Sequence, residues 1–213
     1  MDGIIPLKTS DTGKTALSWM EDYKIAHLPI VNDQKFLGLI SDLDIYNLND
    51  FDEPLGNHNL SLSQPYVKEY QHIYDVLKLV SELGLTLIPV LDEKENYLGS
   101  ITLPSLIKFL SKGFSIDNPG GIIVLELAYN NYSLTEIANI VESNDAKILS
   151  TFILSNEDSN KIELVIKINK IELAPILKTF ERYNYFIKAS FSEDTDQDDL
   201  RDRYNLLMNY LNV

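Results

Sequence analysis

Ser41 and Asp44 stand three residues apart, directly after the apolar run 36–40. A carboxylate held in the first turn after a strand can accept hydrogen bonds from both hydroxyls of a ribose. A neighbouring hydroxyl and the backbone N–H groups of a helix start can face a phosphate. The same spacing also builds an ordinary helix N-cap with an acid in the first turn. The pair therefore takes its chemical meaning from what surrounds it.

What surrounds it is a repeat. HLPIVNDQKFLGLISDLDIYNL at 27–48 recurs as LIPVLDEKENYLGSITLPSLIKFL at 87–110. Pro29 matches Pro89, Gly38 matches Gly99 and Ser41 matches Thr102, the last two one residue out of step because the second turn is longer. Two copies of one supersecondary unit must bury their apolar faces against each other. In the second copy the sequence after the strand reads Thr102, Leu103, Pro104, Ser105, so a hydroxyl replaces the carboxylate. Such a group lacks the charge that makes a carboxylate contact about twice as strong, and the second copy is expected to hold a weaker site.

The elements that position these residues follow from local pattern. Ser10, Asp11 and Thr12 are capping residues ahead of Ala16, Leu17 and Met20, which predicts a helix to about Tyr23. Residues 28–31 and 36–40 read as strands joined by a tight turn at Asn32, Asp33 and Gln34. A helix is expected over 42–48. The polar stretch 49–64, broken by Pro54 and Gly56, reads as a surface connection. Then the order recurs. Ile73, Leu77, Val80 and Leu83 form a helical stripe, 86–91 and 97–101 read as strands, and Pro104 suits the first turn of a closing helix.

The second half is punctuated differently. GFSIDNPGG, at 113–121, reads as a linker. After it come a strand at 122–128, the loop YNNYS, a helix opened by the capping-box spacing Ser133/Glu136, and strands at 147–154 and 162–169 flanking SNEDSN. A helix at 173–183 and a strand at 185–191 complete a βαββαβ order, the ferredoxin-like arrangement. The tail EDTDQDDLRDR is acidic and does not match a calcium loop. Beyond it Tyr204, Leu207, Met208 and Leu211 fall on one helical face.

Composition bounds the function. The 213 residues carry a net charge of −14 and are 45% hydrophobic, enough for two compact domains. Residues 1–112 hold 9 Lys, no Arg and 16 acids, and residues 113–213 hold 9 basic and 16 acidic residues. An acidic surface without a guanidinium fork repels polyanions, so nucleic acid is not expected as a partner. With no Cys there is no disulfide, thiolate metal site or Cys nucleophile. Neither a secretory n-region nor an apolar run long enough for a membrane span is present, and a cytoplasmic protein is expected. The sequence has no Walker loop, nucleophile elbow, dinucleotide turn or H-E-x-x-H helix, and no metal-ligand spacing. No catalytic residue, metal or required cofactor is expected, and the chain is not read as an enzyme.

The doubled pattern of apolar-x-Pro, strand, Gly, strand and S/T-x-x-D resembles a tandem cystathionine-beta-synthase (CBS) domain pair over residues 1–112, with repeats at about 1–50 and 62–112. The βαββαβ half, 121–192, is similar to an ACT domain behind a linker at 113–120, with 193–213 as an acidic segment and terminal helix. The pairing resembles the acetoin-utilisation type of CBS protein. It implies an α+β fold, two βαββα-type repeats followed by a ferredoxin-like unit, and a non-catalytic regulatory role.

The resemblance also implies a shared pocket in which Ser41 and Asp44 are joined by Tyr66, Val67, Thr86 and Leu87. Tyr66 and aliphatic groups sandwich an adenine there, while the backbone near Thr86 reads its edge. A weaker reciprocal pocket sets Ala26 and His27 against Thr102 and Ser105. Copy one supplies only Lys as cations and copy two places Ser105 where a base would help. An adenosyl ligand such as AMP, adenosine or S-adenosylmethionine is therefore expected rather than ATP. Structural dimerisation with a vestigial site, or amino-acid sensing through Asn130 and Asn131 of the ACT-like half, are the alternatives. A homodimer is implied by both resemblances, and a protein partner is the further expectation.

Overall fold

The computed structural model describes residues 3–58, 62–155, 160–192 and 208. The chain divides into two compact units, Met1–Lys108 and Phe109–Val213, the division falling within one helix.

In the first unit α1 (Gly13–Tyr23) starts at Thr12, whose hydroxyl accepts the Thr15 N–H at 3.2 Å. The helix ends at Lys24 in the left-handed conformation (φ 56°). β1 (His27–Asn32) and β2 (Lys35–Ser41) form an antiparallel hairpin. Its two turn residues, Asp33 and Gln34, both take positive φ, the conformation a two-residue hairpin loop requires. α2 (Asp42–Tyr46) follows without a break.

The second copy repeats this. β3 (Val67–Lys68), α3 (Ile73–Leu83), β4 (Leu87–Leu91), β5 (Tyr97–Thr102) and α4 (Leu103–Gly113) run in the same order. β3 lies parallel to β4 through Val67↔Val90, and Leu7 makes the matching parallel bridge to Ile30 in the first copy. Each copy is thus a βαββα unit, with the leading strand of the first reduced to one bridge. Both hairpins carry a bulge at the same place, opposite Gly38 and Gly99, and both glycines have φ of +153°. At Gly38 a Cβ would meet Leu62 Cβ at 2.6 Å and the Ser63 carbonyl at 2.9 Å, because the connection between copies runs against it.

The two copies share one core. Leu28, Ile30, Leu39, Ile40, Leu87 and Ile88 are fully buried in it, each residue of this size contributing about 1.5–3 kcal/mol. Three expectations are corrected. The polar connection 49–64 contributes Leu55 to this core, and Ser63 O accepts the Leu39 N–H at 2.8 Å beside β2. α3 buries Val76 with Val80, while Leu83, on the same face but at the last residue of the helix, is 52% exposed. α2 stops at Tyr46.

The second unit has the βαββαβ order. β6 (Ile122–Ala128), α5 (Leu134–Glu142), β7 (Ile148–Ser155), β8 (Lys161–Ile168), α6 (Ala174–Arg182) and β9 (Phe186–Phe191) give a four-stranded antiparallel sheet in the order β7-β8-β6-β9. Ile123, Leu125, Leu164, Ile166 and Ile168 point to the helix side and form a core with Ile137, Ile140, Ile176 and Phe180. Ser133 caps α5 by accepting the Glu136 N–H at 3.3 Å, but the Glu136 carboxylate does not close the expected box. It accepts the Tyr185 hydroxyl at 2.6 Å instead. The acidic tail, the middle of SNEDSN and most of the terminal stripe lie outside the described residues. Met208 alone of that stripe is described, and it is helical and half-buried.

Candidate functional site

The repeat brings two chemically unlike positions into register. Ala26 and Thr86 each precede the central strand of their copy, and their carbonyls accept the first N–H of the matching helix, Asp42 N at 3.0 Å and Leu103 N at 3.1 Å. Each strand start is thereby fastened to the helix that follows its own hairpin.

Between the copies the same two residues meet. Thr86 Oγ1 accepts the Ala26 N–H at 3.0 Å and lies 3.0 Å from His27 Nδ1, while the Thr86 N–H points at that nitrogen from 3.4 Å. With Oγ1 already accepting from Ala26, its proton is free to donate to Nδ1. Nδ1 then acts as an acceptor, and the ring is the neutral tautomer with its proton on Nε2. Burial lowers the His27 pKa, and the carboxylates of Asp42 and Asp44 partly restore it. A cation at Nδ1 would also lose its acceptor role. The copies meet again at their hairpin tips, where Tyr97 N–H donates to Gln34 O at 2.7 Å.

Ser41 and Asp44 form a complete capping box. Asp44 Oδ2 accepts from the Ser41 N–H at 2.8 Å and from its hydroxyl at 2.6 Å, and Ser41 Oγ accepts the Asp44 N–H at 3.1 Å. Asp44 is exposed, so its carboxylate borders solvent while one oxygen is committed to the helix start. Beside it a groove of about 680 Å³ runs from the end of α1 past Ala26 and Thr86 to Asp42 and Tyr46. Its charged lining is Glu21, Lys24 and Asp42. One cation among carboxylates does not compensate a polyphosphate, whereas carboxylates and a hydroxyl suit a diol.

The structure thus gathers Ala26, His27 and Thr86, with Asp42 and Asp44 acting on the imidazole charge. Of the expected residues only Ala26 and Thr86 line the groove itself, and Ser41 and Asp44 are not among its walls. Val67 and Leu87 are 2% and 0% exposed and belong to the core. The Tyr66 ring packs edge-on against Phe36 at 6.4 Å, with Lys68 Nζ 5.2 Å from its centroid. Phe36 is five residues before Ser41 on β2, so this contact sits on the order of 16 Å from the capping box. Thr102 is buried, and the Ser105 N–H reaches Thr102 Oγ1 at 3.5 Å, a matching but looser cap.

Asp42 and Tyr46 were not singled out by the sequence reading. The signal available was their i, i+4 spacing, which sets them on one face of α2. In the second unit Asn130 and Asn131 lie in a 3₁₀ turn (Tyr129–Asn131). Asn131 lines a groove of about 740 Å³ with Glu126, Glu136, Lys161 and Tyr185. Burial, reinforced by Glu136, raises the Tyr185 pKa. Among the described residues no cluster of three or more His, Asp or Glu could hold a metal, and no helix is long and apolar enough to cross a membrane.

Residues 2–49 and 60–112 match the CBS domain family. Over 106 residues the chain is 26% identical to an inosine-5'-monophosphate dehydrogenase of Methanocaldococcus jannaschii, an alignment covering 49% of this chain and 21% of that enzyme. The chain thus spans about a fifth of the curated relative it matches. A CBS domain pair/ACT domain protein of Thermotoga maritima superposes with a TM-score of 0.47 at 24% identity, over 53% of this chain and 92% of that one. The CBS-pair protein CBSX2 of Arabidopsis thaliana gives a TM-score of 0.43 at 20% identity, over 51% and 86%. The doubled βαββα unit, its paired bulges and the family match together make residues 2–49 and 60–112 a tandem pair of CBS domains.

Proposed function

We propose that the CBS pair binds an adenosyl ligand, AMP, adenosine or S-adenosylmethionine rather than ATP, and that the chain is a non-catalytic regulatory protein. CBS domain pairs as a class are regulatory modules that bind adenosine ligands. The observation that carries the reading is the hydrogen-bonded node of Ala26, His27 and Thr86, which ties one copy to the other at the wall of a groove bounded by Asp42. A ribose engaging the α2 carboxylates sits beside that node. A ligand contacting both copies favours the arrangement of them that it fits, and its differential affinity is the regulatory signal. The ferredoxin-like unit then acts as an ACT-like domain that passes the change to a partner. The exposed apolar groups Leu43 and Tyr46 on α2 and Ile107 on α4 suit a contact with a second copy, giving a homodimer.

Two observations favour other readings. Asp44 Oδ2 is already held by Ser41, as a purely structural pair with a vestigial site requires. The groove beside Asn131, with carboxylates and Lys161 at its wall, has the paired charges that an amino acid needs.

A thermal-shift series with adenosine, AMP, ATP, S-adenosylmethionine and a panel of amino acids separates the three. Ligand at 100 times its Kd stabilises by about 2.7 kcal/mol, a shift of a few degrees. Adenosyl compounds are expected to give the shift and ATP a smaller one. A response to amino acids alone, or to nothing, overturns the proposal.

A further inference from the structure

Lys161, Lys167 and Lys188 stand on the open face of the ferredoxin-like sheet in two different settings. At one end Lys161 is paired with Glu126 and Lys188 with Glu163. At the other end Lys167 has no ion pair among the described residues, and its Nζ donates to the Gly120 carbonyl at 3.2 Å. An ammonium has three N–H groups, so two are left for another acceptor. Lys167 lines an apolar groove of about 550 Å³ at this end of the face.

The floor of the groove is two rows across the sheet. Ser150, Lys167, Ile122 and Phe191 are in register in one row, and Phe152, Val165 and Val124 in the next. Residues two apart on a strand share a face, which sets the ammonium and the apolar groups on the same surface. Phe114 and Ile116 form a side wall. Ser150 Oγ donates to Phe114 O at 2.7 Å, Phe114 meets Phe152 edge-on at 5.4 Å, and the Ile116 N–H donates to Ser111 O at 2.9 Å. The wall is therefore fixed before anything binds, yet Ile116 and Phe152 remain 61% and 37% exposed. A volume within about 300–1,000 Å³ and apolar walls around one placed polar group are the features of a small-molecule site.

We infer that this groove binds a free amphiphilic monocarboxylate, an alkanoate whose chain lies against Phe114, Ile116 and Phe152 and whose carboxylate is met by Lys167. One ammonium balances one carboxylate, and an N⁺–H···O⁻ contact is about twice as strong as a neutral one. A second copy closed over the face would bury that ammonium against apolar walls at a heavy desolvation cost. An anionic lipid surface is disfavoured as the source of the ligand by the chain's net charge of −14. All of these residues belong to the second unit, so the inference is independent of the adenosyl site.

Isothermal titration of decanoate into the full-length protein, below the concentration at which it forms micelles, is expected to show one saturable site per chain. Dodecanoate should bind roughly tenfold tighter, from two further buried methylenes. Decyltrimethylammonium, with the same chain and the opposite charge, should bind roughly tenfold more weakly than decanoate, and Lys167→Glu should reverse that order. Ile116→Asp, at an exposed position where the fold is retained, should weaken decanoate at least tenfold, with folding checked by far-UV circular dichroism. A wild type that prefers the cation, a preference that survives Lys167→Glu, or uptake without saturation overturns the inference. So does absence of binding in a dimer that Ile116→Asp dissociates, which assigns the face to a second copy.

Discussion

Thr86→Val keeps the shape of the side chain and removes only the hydroxyl at the node. Two contacts are lost, the Ala26 N–H donor at 3.0 Å and the His27 Nδ1 acceptor at 3.0 Å. Each is worth about 0.5–1.5 kcal/mol net. The site is half-buried, so water replaces part of what is removed, and a loss of about 1–2 kcal/mol is expected. In a domain of this size that corresponds to a fall in Tm of roughly 5–15 °C. The chain has a single Trp, Trp19, packed against the core of the CBS unit. Urea titration followed by Trp19 fluorescence therefore reads that unit alone. Thr86→Ser keeps the hydroxyl and is expected to lose no more than about 0.8 kcal/mol, the value of one methyl group. In a His27→Ala background Thr86→Val should cost less, because one of its partners is already gone. A cost below about 0.3 kcal/mol in the wild-type background, or the same cost in both, refutes the node as a link between the copies.

Because the folded-state His27 pKa lies below its ordinary value of 6.5, the unfolded chain binds the proton more readily. Its contribution is intact above about pH 6.5 and is lost as the pH falls through the lower folded value. The stability difference between wild type and His27→Gln should accordingly narrow from pH 7 to pH 5, and a constant difference contradicts the assignment. Gly38→Ala combines a φ of +153° with a Cβ 2.6 Å from Leu62 Cβ, and should cost about 2–4 kcal/mol in the same urea assay. Tyr185→Phe leaves Glu136 Oε2 without its 2.6 Å donor, and is expected to lower the stability of the second unit by about 1 kcal/mol, read by far-UV circular dichroism.

The architecture was legible because the repeat and the turn chemistry are written in residues that leave few choices. Gly38 and Gly99 mark the two bulges, where φ of +153° suits no other residue, and Thr12, Ser41 and Ser133 mark helix starts. What escaped were places where a single residue acts against its local pattern. Leu55 reads as part of a polar connection because one apolar residue between Pro54 and Gly56 has no period, yet it is 1% exposed. Glu136 has capping-box spacing, but the hydroxyl of Tyr185, just ahead of β9, competes for its carboxylate and wins. Tyr66 is drawn to Phe36, a contact fixed by the fold of the connection rather than by sequence neighbours. The node itself pairs residues about sixty apart. The repeat length was its one signal, since Ala26 and Thr86 are the same position in the two copies.

The α2 carboxylates and the inter-copy node are proposed to hold an adenosyl ligand together. Isothermal titration of AMP into the wild-type chain and into Asp44→Ala tests it most directly, with folding of the variant checked by Trp19 fluorescence. Loss of the capping box costs about 0.5–2 kcal/mol of stability, so the variant should remain folded. Saturable binding to the wild type, weakened at least tenfold in Asp44→Ala, is the expected result. Binding unchanged by the substitution, or no heat with AMP, adenosine or S-adenosylmethionine, contradicts it.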